Sequence, residues 1–285
     1  MRVKIDPSVP KGTITAPPSK SMAHRLLICS GLASGTSVVH GIAPSHDVLA
    51  TLDCLSSLGA SYTVDNDTVT ITGINPASSP AAELYCRESG STLRFFVPVC
   101  LMSGNEYTLH GSDTLLKRPM SVYEDICREQ DIMFQNDGAS IRLAGCLKAG
   151  KYRVKGNISS QFISGLLFAL PLLEGDSTIT IAPPIESCSY INLTIHALSQ
   201  FGVEVKWSDE RTLYIKGGQR YAPREVSVEG DYSNAAFFAA MNFMGGDVTI
   251  DGLSEESLQG DRVYARFFDM LSRGTPTVHI SDCPD

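Results

Sequence analysis

The sequence has 285 residues, of which 43% are apolar and 19% are charged. This composition is typical of one or two folded domains and excludes a largely disordered chain. Acidic residues number 31 against 23 lysines and arginines, so the net charge is −8 and we expect no nucleic-acid partner.

Four segments of the chain repeat one order of elements. Each begins with a short alternating strand, passes through a loop of small polar residues into an apolar helix, and continues through a glycine into a second strand. The small polar loops lie at Ser19, Ser89, Ser159 and Ser233, at intervals of 70, 70 and 74 residues. This regular spacing predicts an internal repeat.

The rest of each unit also recurs. A second helix follows, with apolar residues at helical spacing near residues 48–58 in the first unit and 191–201 in the third. Hairpins come next, with turns at residues 65–67 and 136–138. The unit is therefore β–α–β–α–β–β, which predicts an α/β (α+β) fold.

The fourth unit lacks its hairpin. A helix predicted over residues 261–271 runs directly into TPTVHIS, which resembles the opening strand of a fifth unit, and residues 281–285 would form its polar loop. A strand and a loop at a terminus leave backbone groups and an apolar face uncovered. We expect a fragment of a longer chain, or a chain whose missing segment is supplied separately. The alternative is that the sequence was deliberately ended at this position.

This organisation predicts two domains. Three full units would form a complete first domain over residues 18–227, and residues 1–17 together with 228–285 would form a partial second domain. The chain would cross between them twice, near residues 17–18 and 228–231, and the two crossings would form a hinge.

The loop before each apolar helix is a candidate anion site, because the free N–H groups and the dipole of a helix favour an anion at its N-terminus. In the first unit Lys20 and Arg25 accompany the hydroxyls of Ser19 and Ser21, a set that suits a phosphate or a carboxylate. A capped helix with solvated cations explains the same four residues equally well.

The next two loops carry less charge. Gly90 would let a ligand approach the backbone, and Ser159, Ser160 and Gln161 offer the uncharged donors and acceptors that a polyol needs. Taken alone, each loop is more often a plain helix cap. The same holds for Ser187, just before a later helix.

The repeats place four residues at equivalent corners between a strand and a helix: Lys20, Gly90, Gln161 and Asp285. If the two domains face each other, these corners converge on one anionic, hydroxylated ligand. Asp285 would then lie opposite a cationic wall, able to take a proton from a hydroxyl.

Cysteines and histidines offer no metal-binding pattern. The eight cysteines include no CxxC pair, and the six histidines include no HxH or HExxH pair, so we expect no metal and predict buried free thiols of a cytoplasmic protein. The N-terminal MRVKID lacks the apolar stretch of a signal peptide, and the longest apolar run, residues 162–173, is short and interrupted. We therefore expect no membrane partner.

Seven motifs, in this order along the chain, resemble the 5-enolpyruvylshikimate-3-phosphate (EPSP) synthase family. They are PSKSxxxR at residues 18–25, ESGSTLR at 88–94, KRPM at 117–120, SSQF at 159–162, GDYSNAA at 230–236, LQGD at 258–261 and DCPD at 282–285. The resemblance implies an inside-out barrel in each of two domains of three repeats, so that about two repeats are missing from the second domain here.

The resemblance also implies a reaction. The family joins phosphoenolpyruvate to the 5-hydroxyl of shikimate 3-phosphate and releases phosphate, by addition and elimination through a tetrahedral intermediate, without a metal or an organic cofactor. The implied catalytic residues are Lys20 and Asp285. Shikimate 3-phosphate would be bound by Lys20, Ser21, Arg25, Ser159, Ser160, Gln161, Ser187 and Asp285, and phosphoenolpyruvate by Lys20, Gly90, Arg118 and Gln161.

Two departures from the family pattern limit what is carried over. The second loop has Glu88 and Ser91 where an uncharged pair is commoner, and we expect Glu88 to face away from the anionic ligands. Cations that the family presents from its second domain are absent, so we expect the chain alone to be inactive. The alternatives are a non-catalytic fragment that binds shikimate 3-phosphate and, disfavoured by the Lys20 and Ser159 loops, the sister transferase acting on UDP-N-acetylglucosamine.

Overall fold

The computed structural model describes residue 4 and residues 8–274. Within them, the first unit and the strand before it comprise β1 (Lys11–Thr15), α1 (Lys20–Gly31), β2 (Thr36–His40), α2 (His46–Ser57), β3 (Ser61–Asp65) and β4 (Thr68–Thr72). The second unit comprises β5 (Ala82–Tyr85), α3 (Gly90–Cys100), β6 (Glu106–His110), α4 (Asp113–Leu116), α5 (Ser121–Glu129), β7 (Met133–Asn136) and β8 (Ile141–Ala144).

The third unit comprises β9 (Lys151–Lys155), α6 (Ser160–Ala169), β10 (Ser177–Ala182), α7 (Cys188–Gln200), β11 (Val205–Asp209) and β12 (Thr212–Ile215). The remaining elements are β13 (Glu225–Ser227), α8 (Tyr232–Phe243), β14 (Asp247–Asp251) and α9 (Val263–Ser272). Short 3-10 turns lie at Pro76–Ser78, Leu170–Leu172 and Gly260–Arg262. The second unit has an additional short helix, α4, between β6 and α5.

Three four-stranded sheets share one topology. Their strand orders are β13-β2-β4-β3, β5-β6-β8-β7 and β9-β10-β12-β11. In each, the first two strands are parallel and the last two form an antiparallel hairpin, closed by pairs such as Asp65↔Thr68 and Asn136↔Ile141. The predicted hairpins therefore form where their turn residues indicate.

The first described strand does not pair with the unit that follows it. β1 lies parallel to β14, from Lys11↔Asp247 to Thr15↔Asp251. Its place beside β2 is taken by β13, which comes from much later in the sequence. The chain thus passes twice between the β1–β14 sheet and the three larger sheets, whereas the domain boundaries at residues 18 and 228 stay a prediction.

Helices form the interior and sheets form the outside. Helices α1, α2, α3, α6 and α7 pack in a closed ring, each against the next. In β9 the inner Tyr152 and Val154 are buried, while Lys151, Arg153 and Lys155 on the outer face are exposed. Because α3 and α6 approach closely, a Cβ added at Gly165 would lie 2.6 Å from the Arg94 carbonyl oxygen, so only glycine fits there.

Some details differ from the sequence predictions. The fourth apolar helix, α8, is capped by Asp231, whose carboxylate accepts from the Asn234 amide, and Ser233 lies inside the helix. The helix predicted over residues 261–271 begins as a 3-10 turn and continues as α9. Five of the seven cysteines within the described part are buried, but Cys146 is exposed and Cys188 is half-buried. TPTVHIS and Asp285 lie outside the described residues.

Candidate functional site

Each of the three central helices begins with a serine cap. The hydroxyl of Ser19 accepts from the Met22 amide, that of Ser89 from the Thr92 amide and that of Ser159 from the Gln161 amide. Ser160, next to one of these caps, is buried. Capping and anion binding are compatible here, because a serine cap satisfies only one of the free N–H groups at a helix start.

Lys20 is held by a carboxylate that the sequence did not single out. Its Nζ lies 2.8 Å from Oδ2 of Asp47, in the first turn of α2, and its side chain is 55% exposed. An ion pair this open to water contributes little to stability. The ammonium of Lys20 is therefore accessible to an anionic ligand, and Asp47 sets its resting position.

Arg25 is a buried cation whose hydrogen-bond partners among the described residues are neutral oxygen atoms. Its Nε donates to Oγ1 of Thr194 (2.8 Å), and its Nη1 and Nη2 donate to the carbonyls of Ser21 (2.7 Å) and Tyr190 (3.1 Å). Burial lowers the pKa of Arg25 to about 10, so the guanidinium stays protonated at neutral pH. A buried positive charge without a carboxylate partner favours an anion nearby.

Arg94 and Gln161 form a second cluster at the starts of α3 and α6. Nη1 of Arg94 donates to Oε1 of Gln161 (2.6 Å), and Nε2 of Gln161 donates to Oγ of Ser91 (2.9 Å). The guanidinium lies over the ring of Phe162, at 4.9 Å. Burial lowers the pKa of Arg94, and the positive charge of Arg118 adds to that shift. Arg94 therefore fixes the orientation of the predicted ligand residue Gln161.

Gly90 brings a third guanidinium to the start of α3. A Cβ added at Gly90 would lie 2.7 Å from Nη1 of Arg118 and 3.8 Å from Nη1 of Arg94. Arg118 is exposed, so its charge can meet a ligand from solution. The hydrogen atom of Gly90 leaves the space in which Arg118 approaches the N-terminus of α3, where the helix dipole also favours an anion.

Ser187 stands at the start of α7 in an unusual backbone conformation. Its φ of 55° and ψ of 39° are left-handed, and its side chain makes no capping hydrogen bond. Left-handed backbone at a residue with a Cβ raises the free energy of the fold by about 1–2 kcal/mol. Such local strain is concentrated at binding sites, which agrees with the predicted role of Ser187.

The structure thus joins the predicted residues in two groups. Gly90, Arg118 and Gln161 are linked through Arg94, and Ser21 and Arg25 are linked to the start of α7. The two groups are connected where the guanidinium of Arg25 packs against the ring of Phe95 in α3, at 5.4 Å. Asp285 lies outside the described residues, and convergence of all the corners on one crevice stays a prediction.

Three contributors were missed or undervalued: Asp47, Thr194 and Arg94. The first two lie on second helices of their units, and their contacts with Lys20 and Arg25 depend on the packing of α1 against α2 and α7. The spacing of residues along the chain does not predict these two contacts. Arg94 lies in the ESGSTLR motif at residues 88–94, and this motif was the sequence signal that could have identified it.

A sequence profile of the EPSP synthase family, described as EPSP synthase (3-phosphoshikimate 1-carboxyvinyltransferase), matches residues 6–277. The chain belongs to the EPSP synthase family. The resemblance drawn from the seven motifs is therefore confirmed, and membership favours it over the transferase acting on UDP-N-acetylglucosamine.

Relatives and solved structures agree with this assignment. The 3-phosphoshikimate 1-carboxyvinyltransferase of Clostridium perfringens (strain 13 / Type A) is 41% identical over an alignment of 304 residues, gaps included. The alignment covers 100% of this chain and 72% of that protein. Its namesake from Clostridium kluyveri is 43% identical over 92% of this chain and 62% of its own length. The chain thus spans between 62% and 72% of the length of these two EPSP synthase relatives.

The structure of EPSP synthase from Acinetobacter baumannii has a TM-score of 0.74 with this chain at 27% identity, over 87% of this chain and 57% of that one. The mixed α/β fold predicted from the repeats is confirmed. Among the residues with described positions, no group of three His, Cys, Asp or Glu side chains is arranged to hold a metal ion. In the same part of the chain, every helix is too short or too polar to cross a membrane.

Proposed function

We propose that this member of the EPSP synthase family binds shikimate 3-phosphate and takes part in transferring the enolpyruvyl group of phosphoenolpyruvate to its 5-hydroxyl. In the addition step the hydroxyl oxygen bonds to the central carbon of phosphoenolpyruvate while a proton reaches the methylene carbon. In the elimination step the bond from that carbon to the phosphate oxygen breaks, phosphate leaves, and the methyl group returns a proton.

The observation that carries this proposal is the buried Arg25. A fully desolvated guanidinium hydrogen-bonded to neutral oxygens, beside the start of α7, supplies the positive potential that a phosphorylated, hydroxylated ligand requires. Under the proposal Ser21 and Arg25 bind the shikimate part. Ser159, Ser160 and Ser187 hold shikimate 3-phosphate, the first two near its phosphate.

The second ligand would occupy the neighbouring cluster. Under the proposal Gly90 and Arg118 hold phosphoenolpyruvate, with the guanidinium acting as a charge clamp, and Gln161 lies between the two substrates. Lys20 would contact both and assist proton transfer, and Asp285 would accept the proton of the 5-hydroxyl. The opening left at Gly90 for Arg118 and the Arg94–Gln161 hydrogen bond support this arrangement.

The domain division and the location belong to the same proposal. Residues 18–227 would form the first domain, and residues 1–17 with 228–285 part of the second, in a cytoplasmic protein. The pairing of β1 with β14 rather than with β2 supports the division. The five buried thiols in the described part support a reducing compartment.

Titration with shikimate 3-phosphate tests the binding step. The single tryptophan, Trp207, donates to Asn192 of α7 at 2.9 Å, so its fluorescence reports on the helix that begins directly after Ser187. We expect saturable quenching or enhancement by shikimate 3-phosphate and an affinity for unphosphorylated shikimate at least about tenfold lower, because the phosphate meets the cations. Equal affinity for the two compounds would contradict the proposal.

Release of phosphate tests the reaction. Because the relatives are longer, the 285-residue chain is assayed with both substrates, alone and with a polypeptide supplying the remaining length of a clostridial relative. We expect binding without release from the chain alone and release from the combined sample. Binding without release from both samples would favour a non-catalytic binding protein.

Lys20→Met is the sharpest single change. In the combined sample we expect turnover to fall by about 100-fold or more, because proton-transfer groups contribute factors of that order. Lys216→Met is the matched control, because it removes another exposed ammonium, directly after strand β12. It should leave turnover within about twofold. Wild-type kinetics in Lys20→Met would remove Lys20 from the mechanism.

A further inference from the structure

The two segments that join the β1–β14 sheet to the three larger sheets run side by side. The amide of Ser19 donates to the carbonyl of Glu229 (2.8 Å), and the amide of Asp231 donates to the carbonyl of Pro17 (2.8 Å). Two adjacent connections define a single line, and rotation about that line is not opposed by the connections themselves. A contact away from the line is needed to fix the angle between the two parts.

One hydrogen bond in the described part supplies such a contact. The hydroxyl of Tyr190, in the first turn of α7, donates to Oδ2 of Asp261 at 3.1 Å. Asp261 lies in the 3-10 turn Gly260–Arg262, just before α9. The bond therefore joins the third unit to the segment that follows β14.

The turn that carries Asp261 is itself firmly attached. The neighbouring Gln259 is buried, its Nε2 donates to the carbonyl of Gly230 (2.8 Å), and its Oε1 accepts from the amide of Tyr232 (3.0 Å). Asp261 thus moves with the second connecting segment and the start of α8, so its carboxylate transmits their position to Tyr190.

Tyr190 passes this position on to the proposed substrate site. Its carbonyl accepts from Nη2 of Arg25 (3.1 Å) and from the hydroxyl of Thr194 (2.9 Å), and its ring lies 5.8 Å from the Arg25 guanidinium. Residues next to both partners, Ser189 and Gly260, line a groove of about 470 Å³. The contact therefore lies at the edge of this groove.

We propose that Asp261 is a positioning residue for the shikimate 3-phosphate site: by accepting the hydrogen bond of Tyr190 it holds the first turn of α7, and through the Tyr190 carbonyl the guanidinium of Arg25, in the geometry that binds the ligand. This inference rests on the proposed function for its ligand, but the contact itself can be tested without one. Asp261 does not touch the substrate in this scheme and acts through Tyr190.

The test compares four variants of the 285-residue chain: Asp261→Ala, Asp261→Asn, Tyr190→Phe and the double variant Asp261→Ala/Tyr190→Phe. The matched control is Asp269→Ala, which removes the same charge from α9, where Asp269 pairs with Arg273. Thermal denaturation verifies that each variant folds. Shikimate 3-phosphate is titrated by Trp207 fluorescence, and amide hydrogen exchange is followed at residues 188–191 without ligand.

We expect Asp261→Ala to weaken shikimate 3-phosphate binding by about fivefold to tenfold, in the range of one lost hydrogen bond of ordinary strength. Tyr190→Phe should do the same, and the double variant should be no weaker than either. Asp261→Asn, which keeps an acceptor oxygen, should restore binding to within about twofold, and Asp269→Ala should match the wild type. Without ligand, exchange at the start of α7 should accelerate in Asp261→Ala, in Tyr190→Phe and in the double variant, and should stay unchanged in Asp261→Asn and Asp269→Ala.

Each result decides a separate point. Additive effects of the two single changes, or unchanged exchange in both, would overturn the contact. Coupled exchange with unchanged affinity for shikimate 3-phosphate would overturn the positioning role while leaving the contact. Failure of the wild-type chain to bind shikimate 3-phosphate, with coupled exchange still present, would overturn the proposed function and the positioning role with it, but not the contact.

Discussion

Helices α6 and α8 occupy equivalent places in the repeat but differ sharply in burial. Nine of the ten residues of α6 are buried, whereas only Tyr232 and Ala235 are buried among the twelve of α8. Both sequences are mostly apolar. In the described part of the chain, α6 lies between α3 and α7, while α8 packs mainly against β14, α9 and the turn before α9. Burial therefore follows from the number of neighbouring elements and not from the composition of the helix.

The helices of the three-sheet part thus bury most of their apolar side chains, whereas the region around α8 leaves many of them exposed. Phe237, Met241, Phe243 and Met244 of the α8 region remain exposed, with Phe237 at 69%. On α9 no residue is buried. The free energy of unfolding of this chain should therefore come mainly from the helix ring, and three predictions test that division.

The largest change in the free energy of unfolding is expected from removing a buried phenylalanine side chain. Phe168→Ala in α6 removes a fully buried side chain that packs edge-on against Phe95 at 5.3 Å, so it should lower the free energy of unfolding by about 3–5 kcal/mol. Phe237→Ala in α8 makes the same chemical change on an exposed face and should change it by less than about 0.5 kcal/mol. Urea denaturation measures both, and equal losses would contradict the comparison.

A smaller effect is expected from acid. Burial lowers the pKa of His24 in α1 to about 3, with Asp47 opposing the shift and Arg25 and Lys20 adding to it. Its Nδ1 lies 2.7 Å from the hydroxyl of Thr51. Since the folded pKa lies below the unfolded value, the unfolded chain binds the extra proton. The free energy of unfolding linked to His24 is therefore highest above about pH 6.5. It falls by about 1.4 kcal/mol per pH unit as the pH drops from there towards 4.

The measurement compares wild type with His24→Gln by urea denaturation between pH 7 and pH 4. The wild-type curve should fall more steeply than that of the variant, by about 3 kcal/mol over two pH units. His196→Gln, on the exposed side of α7, is the control for the substitution itself and should change the free energy of unfolding at pH 7 by less than about 0.5 kcal/mol. Parallel curves for wild type and His24→Gln would mean that His24 takes up a proton as readily in the folded chain as in the unfolded chain.

The smallest effect concerns the cap of α8. Asp231→Ala removes the carboxylate that accepts from the Asn234 amide and should lower the free energy of unfolding by about 1 kcal/mol. Ser233→Ala, inside the same helix and exposed, should leave it within about 0.5 kcal/mol. The opposite order would show that Ser233, and not Asp231, caps α8.

The sequence predicted the elements whose cause is local. The hairpins follow from their turn residues, the caps at Ser19, Ser89 and Ser159 from the preference of serine for helix starts, and the helices from apolar residues at helical spacing. The small polar loop predicted at Ser233 was wrong, because α8 begins at Tyr232 and is capped by Asp231. The hydrogen bond from the Asp231 amide to the Pro17 carbonyl accompanies the choice of Asp231, and it is a tertiary contact.

The site was predictable only in part for the same reason. Lys20, Arg25 and Gln161 stand in motifs at helix starts and could be named from the sequence. Their partners Asp47, Thr194 and Arg94 are chosen by how the helices pack around the ring, and that packing has no signature in the spacing of residues. The left-handed backbone at Ser187 is equally hidden, because nothing about serine demands it.

The pairing of β1 with β14 has a consequence for synthesis of the protein. Ile14 lies opposite Ile250, so β1 leaves the ribosome long before β14, the strand with which it pairs. At ordinary elongation rates that delay is roughly 10–50 seconds. During this interval the second and third sheets can assemble, while the strand of residues 11–15 stays unpaired and within reach of chaperones or of another nascent chain.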